Sequence, residues 1–541
     1  MSSRGRLLLL AALSGGACLV GVELMITAVA LPSIVADLAG WTELRRASWI
    51  VNGYALTYIS IMPLAGRAAD RFGLPRLFAL SLISFAIGSV LSGAAQTLDQ
   101  LILARVFQGI GAGAIVPLAT AGASYLFEGQ ARARALGVVG AFTFLGMAIG
   151  PVAGAFVLET YQLGPALASA GLAHSTLADL AVPAWRWIFY LGAPLAILGL
   201  IYLWAAAPSW PRPTRQGGLD LFGAGLFTAT LATGLLALTR LGETDATFPG
   251  ALELGVATLV IGALAVIRNT RTKDPFLDLR LLRNRVFGSA VLVSLLTGYA
   301  LATAIIGAAV FVDRVRYAGP DEQRLVLGSL ALAVAVGALV SGFALRILSA
   351  MWLSLLGLAI SIGGLLVLAR ADATTDLAVV VGGVSLFGLG FGLTVTPRST
   401  AAVEALGRQA FGVASAGVTV ARMAGMAVGL AVLTGFGSNR ISELSAVLVD
   451  PVARDAVLPP ALQGRPLQDG LVVDYLERWA SQQAAGILAG LMLVAAGVMV
   501  VAVIPTLLMG RPSRRSVDQR TIPADDGSDA DDGAAQAALA L

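Results

Sequence analysis

Three ionisable side chains lie inside runs of sequence that are otherwise almost wholly apolar: Glu23 within the run from Leu7 to Pro32, Arg105 within 100–124, and Arg422 within 409–433. A carboxylate in hydrocarbon is costly unless it is paired, wetted or protonated, so Glu23 is read as a group that takes up and releases a proton. The plainer reading makes it the static partner of an arginine. At a rise of about 1.5 Å per residue, Glu23 lies roughly 12 Å from the end of its run at Leu31, and Arg105 lies about 8 Å inside its own. Arg422 stands near the middle of its run. Either arginine is able to neutralise Glu23, and both should face the interior of a helix bundle. Other reactive types read more plainly: Glu159 and His174 as solvated groups near or in an outside loop, and Cys18 as packing on an apolar helix.

The elements that hold these groups follow from composition. The chain has 541 residues, 57% hydrophobic and only 13% charged, against about 25% charge in soluble domains. Its apolar runs are roughly 20 residues long, too long for barrel strands, so the spanning elements are helices. Fourteen are expected, the first running to Leu31-Pro32 and the rest near 47–65, 77–95, 100–124, 135–157, 186–206, 219–239, 251–267, 286–311, 325–346, 351–369, 378–397, 409–433 and 484–509. Arg4 and Arg6 before Leu7 imitate a signal peptide, but the apolar run continues past any cleavage point. The loops that an inside N-terminus would place in the cytoplasm carry more Lys and Arg than the others, which predicts that both ends are cytoplasmic.

Several chemistries are excluded on residue counts. A single cysteine, Cys18, and a single histidine, His174, provide neither an intrachain disulfide nor a Cys/His metal cluster. The only lysine, Lys273, lies between Thr272 and Asp274, so no Walker A loop exists. The net charge of +4 is distributed along membrane loops and forms no nucleic-acid patch. An intramembrane enzyme would need paired catalytic residues on facing helices, for which one histidine, one cysteine and few embedded carboxylates are poor material. A receptor or scaffold without transport would leave Glu23 without a purpose.

An internal repeat organises the chain. Gly109-Ile-Gly-Ala-Gly113 recurs as Gly388-Leu-Gly-Phe-Gly392, and Gly146-Met-Ala-Ile-Gly150 recurs as Gly425-Met-Ala-Val-Gly429, both at an offset of 279 residues. Two related halves in parallel orientation are implied. The predicted organisation is a six-helix bundle over 1–208, two inserted helices with a basic linker over 209–285, a second six-helix bundle over 286–510, and a cytoplasmic tail over 511–541 too polar to fold. With no nucleotide site, the natural engine is rocking of one bundle against the other on an ion gradient. Small residues four apart, as at Gly146, Gly150 and Gly154, allow close helix contact, and Pro151 directly after the second glycine should bend or loosen that helix.

Between the last two spans, an outside extension over 435–483 carries Ile441, Leu444 and Leu448 near helical spacing. Pro459-Pro460 follow, and then a second amphipathic stretch with Leu471, Tyr475 and Trp479. The last two membrane helices are expected to project outward around a proline-rich turn. Such a projection can shelter an acyl chain, whose exposure costs about 0.8 kcal/mol per CH₂; the alternative is a passive solvated loop.

The motifs carry a family resemblance. Gly66-Arg-Ala-Ala-Asp70-Arg71-Phe-Gly73 resembles the signature loop of the major facilitator superfamily, Arg105-Val-Phe-Gln108-Gly109 its helix-four motif, and Gly146 to Gly154 with Pro151 the helix-five motif of antiporters. Glu23 with Ala30-Leu31-Pro32, and Trp49-Ile-Val-Asn52-Gly-Tyr54, resemble the fourteen-helix drug/proton antiporter branch. The resemblance implies export of lipophilic molecules in exchange for protons, with no other cofactor, by a protein of the bacterial inner membrane working as a monomer. Gly66, Asp70, Arg71 and Gly73 would latch the inner gate. Arg105 and Arg422 would assist coupling at Glu23, and Asn52, Tyr54 and Gln108 would line the substrate cavity. Ala414-Ser415-Ala416 and Val420 to Met426, with the extension, resemble a subgroup that exports acylglycerols toward a lipid-carrying lipoprotein, so lipid is preferred to small drugs as the substrate. The chain also departs from these patterns: Leu74-Pro75 replaces basic residues after Gly73, Arg346-Ile-Leu-Ser lacks the signature in the second half, and Phe144 stands where the lipid subgroup has an acidic residue.

Overall fold

The structure is a computed structural model that describes residues 3–38, 44–47, 49–161, 169, 175, 180–206, 220–240, 250–272, 275, 278–407, 410–466 and 469–510. No strand occurs among them. Apolar side chains set where helices form, and capping residues set where they begin. Thr97 accepts a hydrogen bond from the Gln100 amide at the start of α5 (Leu98–Leu126), Asn284 accepts from Val286 and Phe287 ahead of α11 (Arg285–Val310), and Asp376 accepts from Ala378 ahead of α14 (Leu377–Leu406). Such caps satisfy first-turn amides that have no partner within the helix.

The first half comprises α1 (Ser3–Leu38), the short α2 (Leu44–Ala47), α3 (Trp49–Phe72), α4 (Leu74–Ala94), α5, α6 (Gly129–Thr160) and the consecutive α7 (Ala184–Tyr190) and α8 (Gly192–Ala206). A peripheral pair follows, α9 (Leu221–Arg240) and α10 (Ala251–Arg271), packed on each other, with Asn269 the one buried residue of α10. The second half is α11, α12 (Pro320–Ala344), α13 (Ala350–Leu368), α14, α15 (Phe411–Val449), the short α16 (Pro451–Val457), α17 (Gly470–Val501) and α18 (Val503–Leu508). Twelve helices among the described residues are long and apolar enough to cross a membrane, rather than the fourteen expected. The other two expected spans fall on α3 and α9. Asn52, Tyr54, Thr57, Tyr58 and Ser60 lower the apolarity of α3, which packs on α5, and the apolar part of α9 is the shorter Leu221–Gly234.

Gly73 shows why one motif glycine cannot be replaced. Its φ of 91° turns the chain from α3 into α4, a backbone region that favours glycine. Pro75 then occupies the first turn of α4, where its missing amide costs nothing. The helix α6 runs through Pro151 without interruption, so the expected loosening does not break it.

Glycine contacts repeat between the halves residue for residue. In the first half, Gly21 of α1 lies on the Thr143 carbonyl of α6 and Gly146 lies on the Cys18 carbonyl. In the second, Gly298 of α11 lies on the Arg422 carbonyl of α15 and Gly425 lies on the Leu295 carbonyl. A Cβ on Gly150 would stand 2.7 Å from the Val22 carbonyl oxygen, and one on Gly429 2.7 Å from that of Tyr299. Close backbone approach is thus the local job of both glycine runs.

The halves meet along α6 against α12 and α3 against α15. On the membrane side where α1 begins they are closed: a Cβ on Gly66 would meet the Gly412 carbonyl oxygen at 2.5 Å, and Tyr125 packs on Phe411 with ring centroids 5.0 Å apart. On the opposite side Arg324 of α12 reaches Glu159 of α6 at 3.2 Å.

Because Gly146 faces backbone that cannot move aside, Gly146→Ala should destabilise the α1–α6 crossing by about 1–3 kcal/mol, seen as a lower unfolding midpoint in detergent. Gly490→Ala, which has open space around it, should leave the midpoint where it is. Equal midpoints for the two variants would contradict this packing.

Candidate proton and substrate site

Glu23 and Arg105 are both buried, 2% and 1% exposed, and form an ion pair between α1 and α5. Of the two arginines able to neutralise Glu23, the partner is Arg105. Its Nη1 also donates to Gln108 Oε1 at 2.6 Å, and Gln108 Nε2 donates to Ser89 Oγ of α4 at 2.7 Å. The Arg105 Nε points to the Ile50 carbonyl of α3 at 3.4 Å, and its guanidinium lies 4.1 Å from the Tyr54 ring centroid and 5.3 Å from that of Phe189. One guanidinium therefore ties α1, α3, α5 and α7 together. A charge held in this way has hydrogen bonds and ring faces in place of water.

Tyr54 and Gln108 thus belong to the same cluster as Glu23, whereas Asn52 is part-buried near the start of α3. The Tyr54 and Tyr58 rings stack with centroids 6.0 Å apart, and neither hydroxyl has a hydrogen-bond partner among the described residues. In the signature loop, Gly66 forms the contact with α15, and Arg71 is exposed with its guanidinium 5.0 Å from the Phe72 ring. The Asp70 side chain lies outside the described residues, as do His174 and the 511–541 tail. Glu159 is exposed, as expected, and pairs with Arg324.

Arg422 lies apart from this cluster. It is part-buried, makes no ion pair among the described residues, and sits 5.4 Å from the ring of Phe144. A second arginine beside it escaped the sequence reading. Arg398 is buried, donates from Nη1 to Thr297 Oγ1 and from Nε to the Thr394 carbonyl at 2.9 Å, and lies 5.4 Å from the Phe391 ring. The expected span ended at Pro397, which reads as a helix stop, but α14 continues through Pro397 to Leu406. The apolar residues on both sides of Arg398 were the available signal.

In the 435–483 extension, α15 continues to Val449, then α16 and a turn over Pro459, Pro460 and Gly464 lead to α17. Leu458, Val472 and Leu476 bury together, with Leu462 and Tyr475 against them. The inward face of α17 here is Val472 and Leu476; Leu471 is exposed, and Tyr475 and Trp479 are part-buried. The side chains of Ile441, Leu444 and Leu448 lie outside the described residues. Asp469 caps α17, and its bonds from the Leu471 amide and Arg465 hold its carboxyl below the usual aspartate range.

Two internally repeated helical halves, the first holding a buried ion pair, define a multi-pass membrane protein of the two-bundle transporter class. The chain belongs to the Major Facilitator Superfamily, whose family model matches residues 13–430. A triacylglyceride transporter of Mycolicibacterium hassiacum is 31% identical over 79% of this chain and 78% of its own length. The multidrug transporter protein MdtP of Bacillus subtilis is 26% identical over 86% of this chain and 80% of its own. Among solved structures, the proton:xylose symporter XylE aligns with a TM-score of 0.58 at 14% identity, covering 93% of this chain and 96% of its own. At that identity the likeness concerns the fold alone.

Arg105→Gln leaves Glu23 buried without its cation and should cost about 3–5 kcal/mol of stability. Adding Glu23→Gln should recover part of that loss. A double variant as unstable as the sum of the two single changes would show that the two side chains do not interact.

Proposed function

We propose that this transporter is a proton-coupled exporter of lipophilic molecules, of the fourteen-span drug/proton antiporter type, with lipid as the preferred cargo. Supporting this reading above all is the carboxylate of Glu23, buried within the first bundle and held by the guanidinium of Arg105. Deprotonated Glu23 anchors Arg105. Protonated Glu23 no longer does, and Arg105 then rests on Gln108, the Ile50 carbonyl and the Tyr54 ring. Two of those three supports are on α3, whose far end carries the Gly66 contact with α15. A shift of Arg105 therefore acts first on α3, the helix that also carries the contact between the halves.

The Lys and Arg distribution among the loops supports cytoplasmic termini, and in this reading the closed side is the inner gate and the extension lies outside. The names of the relatives point to two cargo classes, triacylglyceride and drugs. The extension favours lipid: a buried apolar cluster at Leu458, Val472 and Leu476 braces a projection beyond the membrane, which release of a water-soluble drug does not require. An extracytoplasmic lipid-carrying lipoprotein is its expected acceptor. Export of small amphipathic drugs is the second reading, favoured by the stacked rings of Tyr54 and Tyr58 beside the Glu23–Arg105 pair.

In proteoliposomes with an imposed pH gradient, Glu23→Gln should abolish gradient-driven transport while the protein remains folded, because the amide keeps the shape and loses the titration. Full transport by this variant would remove Glu23 from coupling. Replacing 435–483 by a short Gly/Ser linker should impair export of a fluorescent lipid and spare that of a small dye; equal retention of both would make the extension dispensable.

A further inference from the structure

We infer that a second polar site, built around Arg398 and Arg422 in the second half, binds the anionic head of an amphiphilic substrate. This rests on the transporter reading above and specifies the chemistry of the cargo. At about 1.5 Å per residue, Arg398 lies roughly 12 Å from the end of α14 at Leu406, and Arg422 roughly 16 Å from the start of α15 at Phe411. Both ends are on the same side of the membrane, so the two guanidiniums sit at similar depth, within electrostatic reach of each other.

The contacts around them form a continuous arrangement. Arg398 lies against Phe391, Phe391 meets the edge of Phe144 with centroids 5.8 Å apart, and Phe144 lies against Arg422. Phe144 belongs to α6, and the hydroxyl of Tyr58 on α3, also within electrostatic reach of Arg422, has no partner among the described residues. Arg422 thus faces the first half across the seam that opens and closes during transport.

The charges do not balance. The first-half arginine has its carboxylate, but neither Arg398 nor Arg422 has an ion pair among the described residues. Arg398 commits two of its donors, to Thr297 and the Thr394 carbonyl, and the Arg422 Nε is unpartnered. Two like charges inside a membrane, without a counter-anion, are expensive. Aromatic faces offset part of that cost. An arriving phosphate or carboxylate offsets the rest, accepting the free guanidinium donors and the Tyr58 hydroxyl in charge-assisted bonds. Phe144 and Phe391 between the cations supply an apolar surface for the adjoining chain. The cargo chemistry so defined is an anionic head on an acyl tail, distinct from the neutral lipid in the names of the relatives.

Native mass spectrometry of the purified full-length protein with equimolar dioleoyl phosphatidate and dioleoylglycerol tests this directly, because the two lipids differ only in the phosphate. Wild type should carry about tenfold more phosphatidate. Arg398→Gln and Arg422→Gln should each bring the ratio close to parity with dioleoylglycerol binding unchanged, and Arg422→Lys should retain much of the preference. Parity in wild type would overturn the proposal, as would retention of the wild-type ratio in both glutamine variants. Displacement of phosphatidate by equimolar inorganic phosphate would also overturn it, showing a small-anion site that needs no tail. None of these readings needs a pH gradient, so selective binding together with absent gradient-driven transport would count against the exporter reading alone.

Discussion

Charge buried in hydrocarbon is the constraint on which the rest of this structure depends. An isolated carboxylate or guanidinium in the membrane costs several kcal/mol, so every helix near Glu23, Arg105, Arg398 and Arg422 has to supply a partner. In the first half the solution is internal: carboxylate, guanidinium, amide and hydroxyl run from Glu23 through Arg105 and Gln108 to Ser89, across α1, α5 and α4. The second half repeats the backbone packing of the first but not this neutralisation. Position 143 on α6 is a threonine bonded to its own helix, and its counterpart 279 residues later is Arg422.

That asymmetry divides labour between the halves. The first half holds a neutralised ion pair, and the second offers cations that have no ion pair among the described residues. Glycine makes their communication possible, because Gly21, Gly146, Gly298 and Gly425 bring backbones into contact and leave no compressible side-chain layer between the helices. The helix that receives Arg105 at the Ile50 carbonyl, α3, also carries the Gly66–Gly412 contact between the halves.

Much of this was legible in the sequence, and the failures have physical causes. A lone Glu23 in an apolar run stands out because nothing else in the run is charged, and the glycine repeat survives because close backbone contact admits no larger residue. Arg398 was missed because Pro397 looks like a helix end; inside a bundle, neighbouring helices tolerate proline mid-helix, and α14 continues. The pairing of Glu23 with Arg105 rather than Arg422 depends on which helices are neighbours, and periodicity holds no record of that. The same limit affected the extension, where the inward face of α17 is set by Leu458 across the turn, one residue out of register with the face read from Leu471, Tyr475 and Trp479. Spans on α3 and α9 blur for a different reason: a helix packed on protein, as α3 is on α5, need not be apolar all round.

The central claim is that the Glu23 carboxyl exchanges a proton as the transporter works. Infrared difference spectroscopy on the reconstituted protein, with and without a transported substrate, reads this through the carbonyl stretch of a protonated carboxyl. The account predicts a substrate-dependent carboxyl band in wild type that is lost in Glu23→Gln; a band unchanged in that variant, or no band in wild type, would contradict it.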